Sequence, residues 1–426
     1  MRAGEKAQSG LSAEVVISGG GLVGLTLGIA LAQAGIDVLV VDAEDPAVAL
    51  AAPFDGRASA IAAGSRRLLE TIGVWDRLEA AAPILDIRVT DGQVGRGASR
   101  FFLHYDSEDL GAGPLGHIVE NRLMRRALHA RAAELESLTL LAPLQATGSR
   151  RSARQALLSL ENRQLVRASL IVAAEGRGSP LREEAGIPVR RWNYRQSGIV
   201  CTITHQRPHH DVAFEHFLPS GPFAVLPLSD DASRPATSLG RHRSSIVWTE
   251  DPALAAHMMI LDDAAFSREI ARRFGDSLGE IRVQGQRWNY PLSLQYADRY
   301  ADERLILVGD AAHGIHPISG QGFNLGIKDV AVLAECLVDA RRLGQDLGNP
   351  AIAARYARWR RFDNMAVIAA TDGLNRLFSN NLPPLRLARD LGMAAVNHLP
   401  PLRRFFMRHA MGTVGDLPRL FKGEAL

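Results

Sequence analysis

A short apolar run, Val15-Val16-Ile17-Ser18, ends in Gly19-Gly20-Gly21-Leu22-Val23-Gly24, and this junction constrains the fold more than any other feature of the chain. Gly19, Gly21 and Gly24 fit G-x-G-x-x-G. Leu25 to Ala34 has helix character and stops at Gly35; Val38 to Val41 reads as a second strand, closed by Asp42. Together these segments predict a βαβ unit whose glycines permit a tight turn and close approach of a pyrophosphate to a helix N-terminus, with Asp42 placed for a ribose diol. The motif alone does not separate FAD from NAD. Val15 to Ile36 carries no charge and is long enough to span a bilayer. The glycine cluster, Gln33 and the immediate second strand argue against a membrane anchor.

A second stretch points to the same kind of ligand. Arg304 to Val308 reads as a buried strand, followed by Gly309-Asp310-Ala311-Ala312-His313, Pro317, and Gly320-Gln321-Gly322-Phe323-Asn324. Asn324 to Glu335 then reads as a helix. A carboxylate at a strand end, here Asp310, accepts hydrogen bonds from sugar-like hydroxyls. Glycines at a helix start aim free N–H groups at developing negative charge, as the pyrimidine edge of a reduced flavin requires.

A chain of 426 residues holds two or three domains. Its 46% hydrophobic and 22% charged content is that of a globular protein, and its net charge is +3. No dense basic run suggests nucleic acid. Cys201 and Cys336 stand far apart with no C-x-x-C, which argues against a disulfide scaffold and a cysteine metal site. No signal-peptide apolar region precedes Ser18, so a cytoplasmic location is expected.

Along the chain, Ser65 to Thr71 is expected to be helical, with Val74 to Leu78 continuing that helix. Ile84 to Thr90 and Arg100 to Tyr105 read as strands, Asn121 to Leu128 as a helix, and Leu138–Leu141, Ala156–Leu160 and Ala168–Ala174 as strands, the last leading to Glu175-Gly176. Val189 to Leu294 is mainly extended, apart from a helix at Ala264–Phe274 and a polar loop at Asp230–Arg243. From Val330 the chain is mostly helical, broken by Pro383-Pro384 and Pro400-Pro401.

With these pieces placed, the chain resembles the FAD-dependent aromatic monooxygenases of the para-hydroxybenzoate hydroxylase type, and most of all their ubiquinone-biosynthesis branch. Gly19–Gly24, Glu175-Gly176 with Ser179 and Arg182, and Gly309-Asp310 carry the wider resemblance. Phe54-Asp55-Gly56-Arg57-Ala58, Leu115 to Asn121, Gly221 to Leu228, Tyr290-Pro291-Leu292, His316 to Gly326, and Ala370 to Asn380 carry the narrower one.

The resemblance implies an α/β fold: a Rossmann-like FAD-binding domain split in sequence (1–82, 118–188 and 296–345), an inserted mainly β substrate domain (83–117 and 189–295), and a helical C-terminal region (346–426). It implies that Gly19, Gly21 and Gly24 line the pyrophosphate and that Asp42 holds the adenosine ribose. Arg57 and Arg122 would contact the pyrophosphate or ribityl side, Glu175 and Gly176 would serve flavin and nicotinamide binding, and Gly309 and Asp310 would bind the ribityl chain. Pro317 would lie at the reactive edge of the flavin, with the backbone of Gly320, Gln321, Gly322, Phe323 and Asn324 at its pyrimidine edge. Where the family carries Asp-Gly, this chain has Glu175-Gly176, which keeps the charge but moves the carboxylate. The implied activity is hydroxylation of a polyprenylated phenol in ubiquinone biosynthesis, with tightly held FAD, NAD(P)H as transient reductant and O2. The implied partners are a lipophilic phenol, a ubiquinone-biosynthesis protein complex and peripheral contact with the inner membrane face. A related hydroxylase of a small soluble aromatic, and a non-catalytic flavoprotein-like lipid escort, are the competing readings.

Several residues carry weaker signals. His313 and His316 lack a third ligand and suit loop packing or flavin contact better than a metal, so no metal is expected. His205, His209 and His210 read as surface polarity. Trp192, Tyr194 and Trp288 read as core, with a substrate pocket as the alternative. From Asn381 on, Arg386, Arg389, Arg403, Arg404, Arg408, Arg419 and Lys422 face only three acids. Leu402, Phe405, Phe406 and Ala410 recur at helical spacing among them. Amphipathic helices usually face a core, which places Phe405 and Phe406 against the protein body; the alternative is an anionic lipid surface.

Overall fold

The computed structural model describes residues 11–51, 56–95, 97–109, 111, 113–235, 238–379, 389, 392–393 and 395–426. Phe54, Asp55, Asn380, Arg386 and Asp390 lie outside the described residues.

Leu11–Ser18 and Val38–Val41 are parallel strands joined by the Leu22–Gln33 helix, so Val15 to Ile36 is a strand, turn and helix rather than one span. Among the described residues no helix is long and apolar enough to cross a membrane. The first strand sits at the centre of an eight-stranded sheet, with Leu165–Ala173 and then Leu305–Leu307 on one side and Val38–Val41 and Leu138–Leu141 on the other, all parallel. Val15, Val16, Ile17, Val38, Val40, Val172 and Leu307 are buried here, as a parallel sheet with both faces covered requires. Helices Leu22–Gln33, Asn121–Ala132 and Gln321–Arg342 pack on it.

A second eight-stranded sheet runs, edge to edge, through His313–Gly314, Ile281–Ala297, Val189–His205, His242–Glu250, Gly221–Leu228, Val212–Leu218, Asp86–Gln93 and Gly97–Asp106. One face is covered by helices Pro252–Ile260 and Asp263–Phe274, which bury Ile199, Cys201, Phe223, Val225, Ile246 and Trp248. The other face meets Glu120 and the segment at Gly56: Arg243 pairs with Glu120 at 3.1 Å, and a Cβ at Gly56 would fall 1.8 Å from the Trp288 ring. A three-stranded sheet, Ala58–Ala62, Gly116–Glu120 and Ala82–Ile84, lies between the two.

Several expectations are corrected. Val74 to Leu78 does not continue the Ala63–Thr71 helix: Gly73, at φ 73°, ends it, and Trp75–Arg77 forms a separate 3-10 turn. Ile84 to Thr90 is two strands in different sheets, divided at Leu85. The polar loop ends earlier than expected, because a strand starts at His242. His205 is fully buried, bonded to Ser244 Oγ at 2.9 Å and stacked on His242. Phe405 and Phe406 do not pack on the body. They are 54% and 42% exposed on the Pro400–Ala410 helix, which docks through Met407 and, just beyond it, Met411.

Candidate active site

Three glycine-bearing segments meet where the parallel strands end. A Cβ at Gly19 (φ 104°) would sit 2.4 Å from the Ala174 carbonyl oxygen, and one at Gly24 would sit 1.8 Å from the Gly19 carbonyl oxygen. The turn therefore packs backbone against backbone. By contrast, a Cβ at Gly21, Gly176 or Gly322 would meet nothing within 4 Å. These positions leave backbone bare beside open space, and Gly21 and Gly322 do so at helix starts, where free N–H groups attract anionic atoms. Asp42 lies at the end of its strand beside the turn, 2.7 Å from where a Gly20 Cβ would be; it accepts the Glu44 N–H at 3.0 Å.

Glu175 is spent within the fold. Its carboxylate accepts Ser18 Oγ and Ser179 Oγ, each at 2.6 Å, and the Leu181 N–H at 3.3 Å. The extra methylene relative to aspartate lets it tie the first strand to the start of the Pro180–Glu184 helix, from behind the open face of Gly176.

Gly309 (φ 58°) and Asp310 follow the Leu305–Leu307 strand, and the Gly309 Cα lies 3.5 Å from where a Gly326 Cβ would be. The Asp310 side chain is 47% exposed. Arg177 reaches it at 3.3 Å while donating to the Ser293 and Ile315 carbonyls at 3.0 and 3.1 Å. This crossing was missed from sequence, although Arg177 directly follows Glu175-Gly176. Behind the turn lies a second missed feature, a buried ionic network. Asp329 accepts the Gly309 N–H at 3.0 Å, pairs with His313 at 2.6 Å and accepts Arg360 Nε at 2.7 Å. Asn364 links Asp329 Oδ1 to the Tyr300 hydroxyl. Burial would raise the Asp329 carboxyl, but His313 and Arg360 hold it well below the usual range. Its only sequence signal is an acid on the buried stripe of a long helix.

Asn324 also acts within the fold. It accepts the Ala62 N–H at 2.8 Å and donates to the Ala60 and Gly320 carbonyls at 2.8 and 3.1 Å, fixing the helix start to the Ala58–Ala62 strand. Gly320 (φ 62°) packs against Ala60. Pro317 is exposed on the loop between. His316 beside it is buried, accepts the Ile318 N–H and stacks edge-on to Tyr194; burial, then Arg177, holds its pKa down at about 4, so it is neutral. Tyr194 donates to Asp372 at 2.9 Å, and Trp192 packs edge-on to Tyr296. Arg57 and Arg122 are brought close through Asn121, whose N–H donates to the Arg57 carbonyl at 3.0 Å. The Arg57 guanidinium lies 5.4 Å from the Tyr290 ring centre. No group of three metal-ligating side chains occurs among the described residues. A cavity of about 600 Å³ at the Ala301–Asp302 edge of the first sheet is lined by Tyr300 but by none of the glycines or strand-end acids of the cleft.

The chain matches the FAD binding domain family over residues 12–360. It is 51% identical to the ubiquinone hydroxylase UbiL of Rhodospirillum rubrum, across 97% of this chain and 94% of that protein. It is 34% identical to 3-demethoxyubiquinol 3-hydroxylase of Escherichia coli, across 94% and 98%. This chain belongs to the ubiquinone-biosynthesis branch of the FAD-dependent aromatic hydroxylases. The fold agrees: p-nitrophenol 4-monooxygenase PnpA from Pseudomonas putida superposes with a TM-score of 0.75 over 94% of this chain and 98% of that one, at 18% identity. The hydroxylase is an FAD-dependent monooxygenase, and bare glycine backbone at two helix starts, with acids at two strand ends, fits that cofactor.

The freest of these acids gives a direct test. Asp310→Ala should lower FAD retention by about 1–3 kcal/mol, since ribityl hydroxyls would lose a charged acceptor. FAD released on gel filtration measures it; full retention would remove Asp310 from the cofactor site.

Proposed function

We propose that this hydroxylase oxidises the aromatic ring of a polyprenylated phenol in ubiquinone biosynthesis, consuming NAD(P)H and O2. The observation that carries the reading is the whole-length identity to proteins named ubiquinone hydroxylases, in a chain that keeps the cofactor-facing glycines bare. Bound FAD supplies electron transfer from the nicotinamide and activation of O2. Gly19, Gly21 and Gly24 would hold the pyrophosphate, Asp42 the ribose and Asp310 the ribityl chain. Arg122, which makes no hydrogen bond among the described residues, is free to meet a phosphate. The Gly320–Phe323 backbone would stabilise charge at the flavin's pyrimidine edge, with Pro317 beside the reacting centre. Asn324, Glu175 and Asp329 would keep that backbone in place. The second sheet would carry the substrate, and the residues beyond 346 would brace both parts.

The test is product analysis with purified protein, NAD(P)H, 18O2 and paired prenylated and unprenylated phenols. One 18O in the prenylated product, formed faster than from the small phenol, is expected. If NAD(P)H and O2 are consumed with no phenol ever hydroxylated, the reading is wrong; preference for the small phenol would favour a soluble substrate.

The same substrate asks for a lipid-facing surface. Leu399, Leu402, Phe405 and Phe406 are exposed on or beside the Pro400–Ala410 helix, and Arg404 and Arg408 flank them without partners among the described residues. The basic patch is smaller than composition suggests, because Arg389 pairs with buried Asp91, Arg403 with Asp109, and Arg419 with Asp339. This helix would rest on anionic lipid or on a lipid-carrying partner of the pathway. Flotation with anionic liposomes is expected, with loss in Phe405→Ser/Arg408→Glu; failure of the native protein to float would leave a protein partner as the occupant.

A further inference from the structure

We infer that Glu215 is the catalytic base that takes the proton from the phenolic hydroxyl of the ring being hydroxylated. This rests on the reaction proposed above, and it assigns a group that the motifs leave without an owner.

Glu215 lies on the Val212–Leu218 strand, and its alternation fixes the face. Phe214 and Leu218 point into the core beneath the Asp263–Phe274 helix. Ala213 and Phe217 point the other way, into the clusters that contain Ala58, Ala60, Met407 and Phe378. Glu215 shares that second face with its cross-strand neighbours Ala224 and Val89. The same face carries Val247, Val200 and Trp288 across the sheet, and Trp288 meets Gly56. Ala60 joins this face to the flavin loop: it belongs to the same hydrophobic cluster as Ala213 and Leu226, and it packs against Gly320.

The carboxylate has nothing to do in the fold. It makes no hydrogen bond or ion pair among the described residues, and its strand neighbours Ala213 and Phe217 and cross-strand neighbours Ala224 and Val89 are apolar. Part of its surface remains accessible although protein surrounds its carboxyl. Burial pushes its carboxyl up to about 7. Other charged and titratable groups on this face are occupied or weak acids; the Arg57 guanidinium lies over the Tyr290 ring at 5.4 Å. Asp91 is paired with Arg389 at 2.8 Å, Arg243 with Glu120, and the Tyr105 hydroxyl is pushed up to about 12. His216, Thr90 and Arg88 lie on the opposite face. An unpaired acid on an otherwise apolar wall costs stability, and such costs are retained at sites of chemistry.

The chemistry needs this group. A phenol ordinarily ionises near about 10, and its anion is the better nucleophile toward electrophilic oxygen. Glu215 takes the O–H proton as one oxygen atom of O2 forms the new ring C–O bond. The O–O bond breaks as this bond forms; the other oxygen leaves as water, reduced by the two electrons of NAD(P)H with one proton from the nicotinamide and one from solvent, and the new ring oxygen takes its proton from solvent. When the ring C–H proton departs to solvent and aromaticity returns, Glu215 gives its proton back to the phenolic oxygen. Its ionisation near the working pH matches a general base.

The experiment uses FAD-loaded protein with 2-prenylphenol as probe. In the native enzyme, kcat/KM should rise along a one-proton limb centred near pH 7. Glu215→Gln should lose that limb and about 10²- to 10⁴-fold in turnover, keep FAD, and recover with a fluorinated phenol already ionised at neutral pH; Glu215→Asp should recover in part. Difference spectra should show bound 2-prenylphenol ionised in the native protein and neutral in Glu215→Gln, a readout independent of turnover. The inference is overturned if the native profile has no acid limb, if Glu215→Gln turns over normally, or if the pre-ionised phenol suffers the same loss. The native profile needs no variant, so misfolding of Glu215→Gln leaves a decisive measurement. If native protein hydroxylates no phenol, the proposed function falls with it; if it does and Glu215→Gln matches it, only the base assignment falls.

Discussion

Asp329→Ala should cost about 3–5 kcal/mol of stability and release FAD, because the buried Arg360 guanidinium loses its fully buried carboxylate and keeps only the part-exposed Asp363, 3.1 Å away. Arg360 and Asp329 are fully buried and His313 nearly so, and water cannot take the place of the lost oxygens without opening the core. The Gly309 N–H would lose its acceptor at the same time, so the turn carrying Asp310 would loosen. Replacing both partners, as in Asp329→Leu/Arg360→Met, should recover much of the loss in melting temperature, because no charge is then stranded, but not the FAD affinity. The same carboxylate sets an acid limit. Its folded pKa lies below the unfolded value near 3.8, so its stabilisation is intact above that value and lost as pH falls toward about 2. Thermal melts of both variants between pH 2.5 and 7 check this; an Asp329→Ala melting curve matching the native one would show that the network holds nothing.

Gly24→Ala is the second large effect. The added methyl would lie 1.8 Å from the Gly19 carbonyl oxygen and 3.2 Å from the Ala174 Cβ. The first obstacle is backbone, which no rotamer change relieves, so the helix must lift off the sheet. Overpacking of this kind costs about 1–3 kcal/mol or more, and here it also distorts the glycine turn proposed for the pyrophosphate. Gly21→Ala is the control. Gly21 has φ −66° and an unobstructed Cβ direction, so the methyl enters only the open cleft. Its melting temperature without FAD should stay near the native value while FAD affinity falls. Equal melting temperatures for both variants would contradict the packing argument.

These contrasts show what was legible in the sequence and what was not. The turn at Gly19–Gly24 and the positions of Asp42 and Asp310 just past strand ends were readable because each placement belongs to a local pattern: strand, glycine, helix, acid. The Val38–Val41 strand was found to the residue because four buried apolar residues stand between turn residues. The roles of Asn324 and Glu175 within the fold were not readable, since their partners Ala60, Ala62 and Ser18 are far away in sequence. Asp329 and Arg360 were missed for the same reason. The Ile281–Ala297 strand was only partly seen because its middle is polar and half exposed, and its pairing with Val189–His205 shifts register twice. Glu215 carried no signal of its own in the sequence; only the third dimension put protein over it.

The order of strands in the parallel sheet also has a consequence for biogenesis. The glycine turn proposed to hold the pyrophosphate is made within the first 24 residues, but the strand that completes the cleft is Leu305–Leu307, and its brace Arg360 comes later still. A ribosome supplies those residues roughly tens of seconds after the first βαβ unit emerges. The nascent chain therefore spends most of its synthesis as an unfinished cleft. Flavin capture is a late event in the life of each molecule, and a product cut short before Arg360 would reach the cell colourless.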